Sequence, residues 1–466
     1  MSVPAPPAPV DQRPSEESGL KRVLGPRLLL LFIVGDILGA GIYAVTGEMA
    51  LEVGGIVWVP FLVAFAVATL TAYSYLELVT KHPQAAGAAL YAHKAFGLHF
   101  VTFLVAFAVV CSGVTSASTS ANLLSVNLLA GLEGVGIDVP QGRFTITVVA
   151  LGFMLLLAAV NLRGVNESVK FNVVLTLVEM LALAIVIAIG FTVIGRGEGN
   201  LDRLVVFDSG SDRGLFLAVT VATAIAFFAM VGFEDSVNMA EETKDPQRDM
   251  PFGIIASLVV CTVLYILVAL VLTGMLPWRE LNTAEPLATA FSALGMNWTA
   301  GIIALGAVIA TTSVLVVFQL GQPRIFFTMA RDGLLPPWAA KVHPKYQTPH
   351  VTTIITGLAV GLVSGVANIG EIVELTNIGT LFAFILVALG IIILRHSSPD
   401  QPRPFRTPWV PVVPLLAIAS CAYLMLQLPT VTWIRFGVWL GVGLLFYYLY
   451  GYRHSRLHVA RPAPEG

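Results

Sequence analysis

Apolar runs near twenty residues recur along this chain. They begin near Leu28, Ile56, Phe100, Phe144, Val173, Leu215, Ile254, Ala300, Val351, Ile372, Val410 and Ile434. Runs of that length are long enough to cross a bilayer as helices. The pattern predicts an all-α polytopic membrane protein with 12 transmembrane helices. The polar stretches at 131–143, 195–213, 241–251 and 331–350 are too short to form a separate soluble domain.

Two of the runs are interrupted by small residues. The first holds Gly35, Asp36, Gly39, Ala40 and Gly41; the second holds Gly232 followed by Glu234. Lipid offers no hydrogen bonds, so a helix broken at membrane depth must have other partners for its freed backbone groups. Broken helices at corresponding places in two halves mark a transporter's midplane site. Gly35 and Gly39 also fit a GxxxG packing face. Gly41 and Asp36 favour a functional break, since a carboxylate within a span costs ~3 kcal/mol on insertion scales and usually marks function. Glu234 and Asp235 alternatively begin a wet half-helix continued by Glu241, Glu242 and Asp245. Breaks in spans one and six make spans one to five and six to ten an inverted 5+5 repeat, with two C-terminal helices outside it. The expected organisation is a disordered cytoplasmic tail at 1–27 and a core at 28–394 with repeats near 28–195 and 214–394. Spans eleven and twelve follow at 395–451, then a cytoplasmic tail at 452–466.

Half-helix ends assign chemistry. An N-terminal end presents free N–H groups and positive dipole, which suit a carboxylate. A C-terminal end presents free carbonyls, which suit an ammonium or a metal ion. A ligand carrying both groups is an amino acid.

Composition agrees with a membrane protein: 56% of residues are hydrophobic and 12% charged, where soluble domains carry about a quarter charged. Mean hydropathy is +0.84. A net charge of −2 without a basic block gives no support to nucleic-acid binding. Cys111, Cys261 and Cys421 show neither metal spacing nor a disulfide framework. The proline-rich N-terminus lacks the order of a cleavable signal, so the first helix is expected to direct its own insertion. With a cytoplasmic N-terminus, 20 of the 26 Lys and Arg residues fall on inner segments, leaving Arg143, Arg196, Arg203, Arg213, Arg279 and Arg435 outside. This bias predicts both termini in the cytoplasm of a multi-pass plasma-membrane protein.

Gly35-Asp36-Ile37-Leu38-Gly39-Ala40-Gly41-Ile42-Tyr43 resembles the first-helix motif of the amino acid–polyamine–organocation transporters. The segments 227–234 and 241–251 resemble their sixth-helix signature. Met329-Ala330-Arg331-Asp332-Gly333-Leu334-Leu335-Pro336, 378–384 and Pro404-Phe405-Arg406 resemble later motifs, nearest the cationic amino acid transporter branch. The resemblance covers nearly the whole chain after the tail. It implies a leucine-transporter-like fold working by alternating access. It also implies that the N–H groups of Ala40, Gly41 and Ile42 hold a substrate carboxylate. The carbonyls of Ile37, Phe228, Ala229 and Val231 would hold its amino group, with Phe228 or Phe233 as gate.

Two positions depart from that family. Span five carries Glu179 where the family often has a lysine that takes the place of a sodium ion in proton-coupled members. A helical rise of ~1.5 Å per residue sets Glu179 about 13 Å in from Lys170 and Asp36 about 12 Å in from Leu28, at one depth. By analogy with the proton-coupled members of that family, Glu179 and Asp36 are expected to be proton-coupling groups. The alternatives are a protonated structural carboxyl at Glu179, or a sodium cage of the Gly35 and Leu38 carbonyls, Thr311, Thr312, Ser313 and Glu179. In span three, Cys111 or Ser112 stands where cationic transporters carry an acid, so a neutral substrate is as well supported as lysine or arginine. Hydroxyls of Ser112, Thr115, Ser116, Ser118, Thr119 and Ser120 are candidates to line a pocket or to pack helices. Glu77 with Lys81, and Arg331 with Asp332, are candidate gate pairs or plain solvated charges.

The expected activity is secondary active, proton-coupled amino acid transport, with no cofactor beyond the coupling ion and no obligate protein partner. Sodium symport and amino acid or polyamine exchange are alternatives, as is a sensor on a transporter fold. The sequence shows no repeated filter loop and no His-Glu-x-x-His motif, and its eight histidines fall mostly in predicted loops, which argues against a channel or an enzyme.

Overall fold

A computed structural model describes residues 22–454 apart from 85, 86, 135, 136, 141, 163, 284, 285, 332, 347 and 367. The apolar runs become helices: span one as Pro26–Leu38 and Gly41–Val53, then Trp58–Lys81, His99–Gly134, Arg143–Asn161 and Val165–Gly195. Span six is Leu215–Ala226 followed by 3₁₀ turns at Phe227–Met230 and Asp235–Glu242. Spans seven to twelve are Pro246–Met275, Asn297–Arg331, His350–Val366, Ile369–Ser397, Val412–Leu426 and Thr430–Phe446. Among the described residues, nine helices are long and apolar enough to cross a membrane, and the bent pair of span one makes a tenth. His350–Val366 and Val412–Leu426 are shorter apolar helices standing where spans nine and eleven are predicted.

Local chemistry fixes several ends. Pro26 and Pro246 open their helices, where a missing N–H costs nothing. The predicted tail boundary at 27 needs correction. Leu24 is fully buried, and the Val23 and Leu24 N–H groups donate to the Glu242 carbonyl at 2.9 and 3.0 Å. The Lys244 N–H donates back to the Leu24 carbonyl at 2.8 Å. Residues 1–21 and 455–466, the rest of both predicted tails, lie outside the described residues.

The internal correspondence is fuller than the break positions alone imply. Span two packs on span seven, three on eight and four on nine. A short helix follows span two (Gly87–Phe96) and another follows span seven (Pro286–Ala293). Spans eight and ten are 67% buried within the bundle, against 28% for span four and 22% for span twelve. Polar chemistry can therefore concentrate along spans one, three, six, eight and ten, while Leu155, Leu156, Val438 and Leu445 face lipid.

Candidate functional site

The two breaks meet at the centre of the bundle. Span one bends by 41° between Leu38 and Gly41. The unwound residues are Gly39 and Ala40; Gly41, expected to be part of the break, is the first residue of the second half-helix. It is required there for space. A Cβ on Gly41 would sit 2.6 Å from both Cα and Cβ of Ala229 in the other broken helix. Gly232 is required for conformation, with φ of 133°. A side chain there would also press on the Asp36 carbonyl carbon at 3.1 Å. Backbone thus lies directly against backbone where the broken helices cross. Among the described residues no side chain caps the N-terminus of Gly41–Val53, so its first N–H groups are left for another partner.

The freed acceptors at the first break have a partner that the motif did not disclose. The Tyr265 hydroxyl of span seven lies 2.5 Å from the Ile37 carbonyl and 3.0 Å from the Leu38 carbonyl. These carbonyls were expected to face an amino group and a coupling ion, respectively. Tyr265→Phe is expected to strand these buried acceptors at a cost of about 1–3 kcal/mol, read as a lower thermal-unfolding midpoint. An unchanged midpoint would mean that water replaces the hydroxyl. At the second break, the Gly232 N–H donates to its own neighbour's carboxylate, Glu234 Oε2, at 2.9 Å. The Phe228 carbonyl accepts the Val231 N–H at 3.3 Å.

The predicted acids divide into two groups. Asp36 is 6% exposed, with Oδ2 unbonded among the described residues, and its charged neighbours are Asp235 and Glu234. Glu179 is fully buried, and neither carboxylate oxygen has a hydrogen-bond partner among the described residues. Its titratable neighbours include Tyr43, Cys261 and Tyr265. Cys261 also neighbours Asp36 and stands within reach of both groups.

Between spans one, five and eight lies the predicted ion cage. A side chain at Gly35 would overlap the hydroxyls of Thr176 and Ser313. Ser313 Oγ accepts from Asn172 Nδ2 at 2.8 Å and lies 3.3 Å from Thr176 Oγ1. Thr312 Oγ1 donates to the Val308 carbonyl at 2.6 Å, and Thr311 donates to Ala307 at 2.7 Å. Asn172 and Thr176 escaped notice as site residues although both lie on the face of span five that carries Glu179. Their spacing of four and three residues to Thr176 and Glu179 was the available signal.

A narrow pocket opens beside the second break. Its polar lining is Ser112, Ser116, Glu234, Asp235, Gln322 and Thr380, with Tyr75, Val231 and Phe384 among its apolar walls. Of the other candidate hydroxyls of span three, Thr115 bonds the Ser112 carbonyl, Ser118 the Val114 carbonyl, Thr119 the Thr115 carbonyl and Ser120 the Ser116 carbonyl. Ser112 itself bonds Thr380 at 2.6 Å and the Thr376 carbonyl at 2.7 Å. Gln322 reaches Asp235 at 3.4 Å, leaving Oε1 unbonded. Phe233 is packed edge-on against Tyr75 and beside Phe384. Phe228, 5% exposed, has no ring partner among the described contacts.

One of the two candidate gate pairs is re-partnered. Glu77 does not pair with Lys81. It accepts from Arg395 Nε and Nη2 at 2.8 and 2.7 Å and from the Thr407 N–H at 2.8 Å, with Arg403 at 3.3 Å. Asp332 lies outside the described residues. A buried pair unnoticed in the sequence joins spans six and eight: Glu242 Oε1 accepts from Arg324 Nη2 at 2.8 Å and Nε at 3.0 Å.

Residues 24–446 match a protein-family model described as amino acid permease. Two Bacillus subtilis (strain 168) proteins are similar along nearly their whole length. A methylthioribose transporter is 36% identical and the branched-chain amino acid permease BcaP 35%, each over 95% of this chain and 96% of its own. The vacuolar cationic amino acid transporter 4 of Arabidopsis thaliana is 32% identical over 79% of this chain and 62% of its own.

Proposed function

The chain belongs to the amino acid permease family of the amino acid–polyamine–organocation superfamily, and from that premise we propose that it is a secondary active transporter. It carries an amino acid across the plasma membrane by alternating access and couples that movement to protons. The observation that carries the coupling is Glu179, fully buried and without a hydrogen bond beside the first break. A bare carboxylate in that position costs several kcal/mol, so the group holds a proton while buried and exchanges it when the bundle opens. Sodium is the weaker reading. The Leu38 carbonyl and the Thr312 hydroxyl are already bonded, and the Asn172 amide brings a donor to the Ser313 oxygen.

In this reading the N–H groups of Ala40, Gly41 and Ile42 hold the substrate carboxylate. The amino group lies towards Ala229 and Val231, with Phe228 as the gate. Both termini face the cytoplasm. The narrow pocket beside the second break would have to widen to take the remainder of the substrate. Its lining of two carboxylates, an amide and hydroxyls, with no basic side chain, also supports a second reading: a neutral hydroxylated substrate of the kind named for the methylthioribose transporter. The test is uptake into proteoliposomes under an imposed pH or sodium gradient, with leucine, lysine, a polyamine and methylthioribose as unlabelled competitors. Accumulation driven by the pH gradient without sodium, and blocked by an amino acid, is expected. Accumulation only under a sodium gradient, or block by methylthioribose alone, would overturn the corresponding part.

A further inference from the structure

Among the described residues, one cation lacks an acceptor in the basic cluster at the ends of spans two and ten on the N-terminal face. Glu77 is the carboxylate at the centre, and its oxygens are taken by Arg395, Arg403 and the Thr407 N–H. Arg403 is saturated further by the carbonyls of Ser398, Pro399, Gln401 and Leu394, at 2.6 to 3.3 Å. Lys81 is one helical turn beyond Glu77 and would ordinarily take that carboxylate. Its ammonium is instead shut off from solvent with no hydrogen-bond partner among the described residues, and its charged neighbours are Arg403, Glu77, Arg395 and Lys94. Lys94 is brought in by the helix Gly87–Phe96, whose Ala95 lies against Gly390 of span ten. Burial, and then Lys81 and Lys94, push the His82 imidazole down to about 4, so at neutral pH it contributes neither charge nor relief.

Arg395 and Arg403 therefore use up the Glu77 carboxylate, and Lys81, with Lys94 as a further charged neighbour, is left without an acceptor among the described residues. An ammonium without an acceptor at this position is costly. A general bias of positive residues to one face explains exposed lysines, but not a half-buried one whose ammonium is shielded from solvent with two guanidinium groups among its charged neighbours. We propose that Lys81, Lys94 and Arg395 form an anion site that takes a phosphate group at this surface. The site lies at the end of the spans, the depth of lipid headgroups, so its phosphate comes from an anionic lipid or from free phosphate.

The test uses the full chain purified in detergent. It is titrated with mixed micelles of phosphatidylglycerol in phosphatidylcholine, and separately with inorganic phosphate against chloride at equal ionic strength. The readout is the thermal-unfolding midpoint. The wild type is expected to respond, Lys81→Arg to match it, and Lys81→Gln to bind about 5-fold more weakly. Lys94→Gln, at an exposed position, gives the same comparison if Lys81→Gln does not fold. A response to phosphatidylglycerol alone assigns a lipid headgroup; a response to inorganic phosphate as well assigns a free anion. Equal responses of the wild type and both glutamine variants, or no response of the wild type to either probe, overturn the proposal.

Discussion

Glu179→Gln is expected to abolish accumulation driven by a pH gradient while leaving substrate binding and gradient-independent exchange in place. The side chain keeps its size and its burial, and no hydrogen bond is lost because neither oxygen has one. What disappears is the capacity to take up and release a proton. The expected loss is more than tenfold in accumulation, since a coupling step without its proton carrier leaves only equilibration. Counterflow of labelled substrate, which needs no gradient, separates a coupling defect from a folding or binding defect. Undiminished pH-driven accumulation in this variant would remove Glu179 from the mechanism and leave Asp36, with its unbonded Oδ2, as the remaining intramembrane acid of the first break.

Glu242→Leu is expected to destabilise the protein by about 3–5 kcal/mol, the cost of breaking a buried pair from one side. The side chains of Arg324 and Glu242 are 4% and 1% exposed, so the guanidinium left behind has no route to water. Arg324 Nη1 also donates to the Leu320 carbonyl, which anchors the group and prevents it from swinging outward. The double variant Glu242→Leu with Arg324→Met is expected to recover most of the loss, because two apolar groups of similar volume replace two desolvated charges. A double-mutant cycle on unfolding midpoints measures the coupling. Additive losses would show that the two residues act separately and that the pair is not held as a unit.

The helices and both breaks were legible because they depend on local chemistry. Run length and the prolines that open helices act within a few residues of themselves, and the glycines mark the breaks in place, although the room that Gly41 makes is for Ala229 of the other broken helix. The organisation around the breaks was less legible. Helical rise gives depth along an axis but not the face that a residue turns towards its neighbours. Glu179 and Asp36 were accordingly placed at one depth, yet Asp36 turns to Glu234 and Asp235 while Glu179 turns to Tyr43 and Tyr265. Tyr265 gave no signal, since one tyrosine in an apolar run is indistinguishable from packing until its hydroxyl is seen on the Ile37 carbonyl. Glu77 was assigned to Lys81 by helical spacing, but two guanidinium groups more than three hundred residues away form the stronger, multidentate contact. In each case a long-range partner overrode a local rule.

The three backbone hydrogen bonds among Val23, Leu24, Glu242 and Lys244 remove a degree of freedom. They fasten the start of span one to the end of span six, so the lower limbs of the two broken helices share a single joint. Opening on that face must carry both limbs as one lever or first part the seam between them.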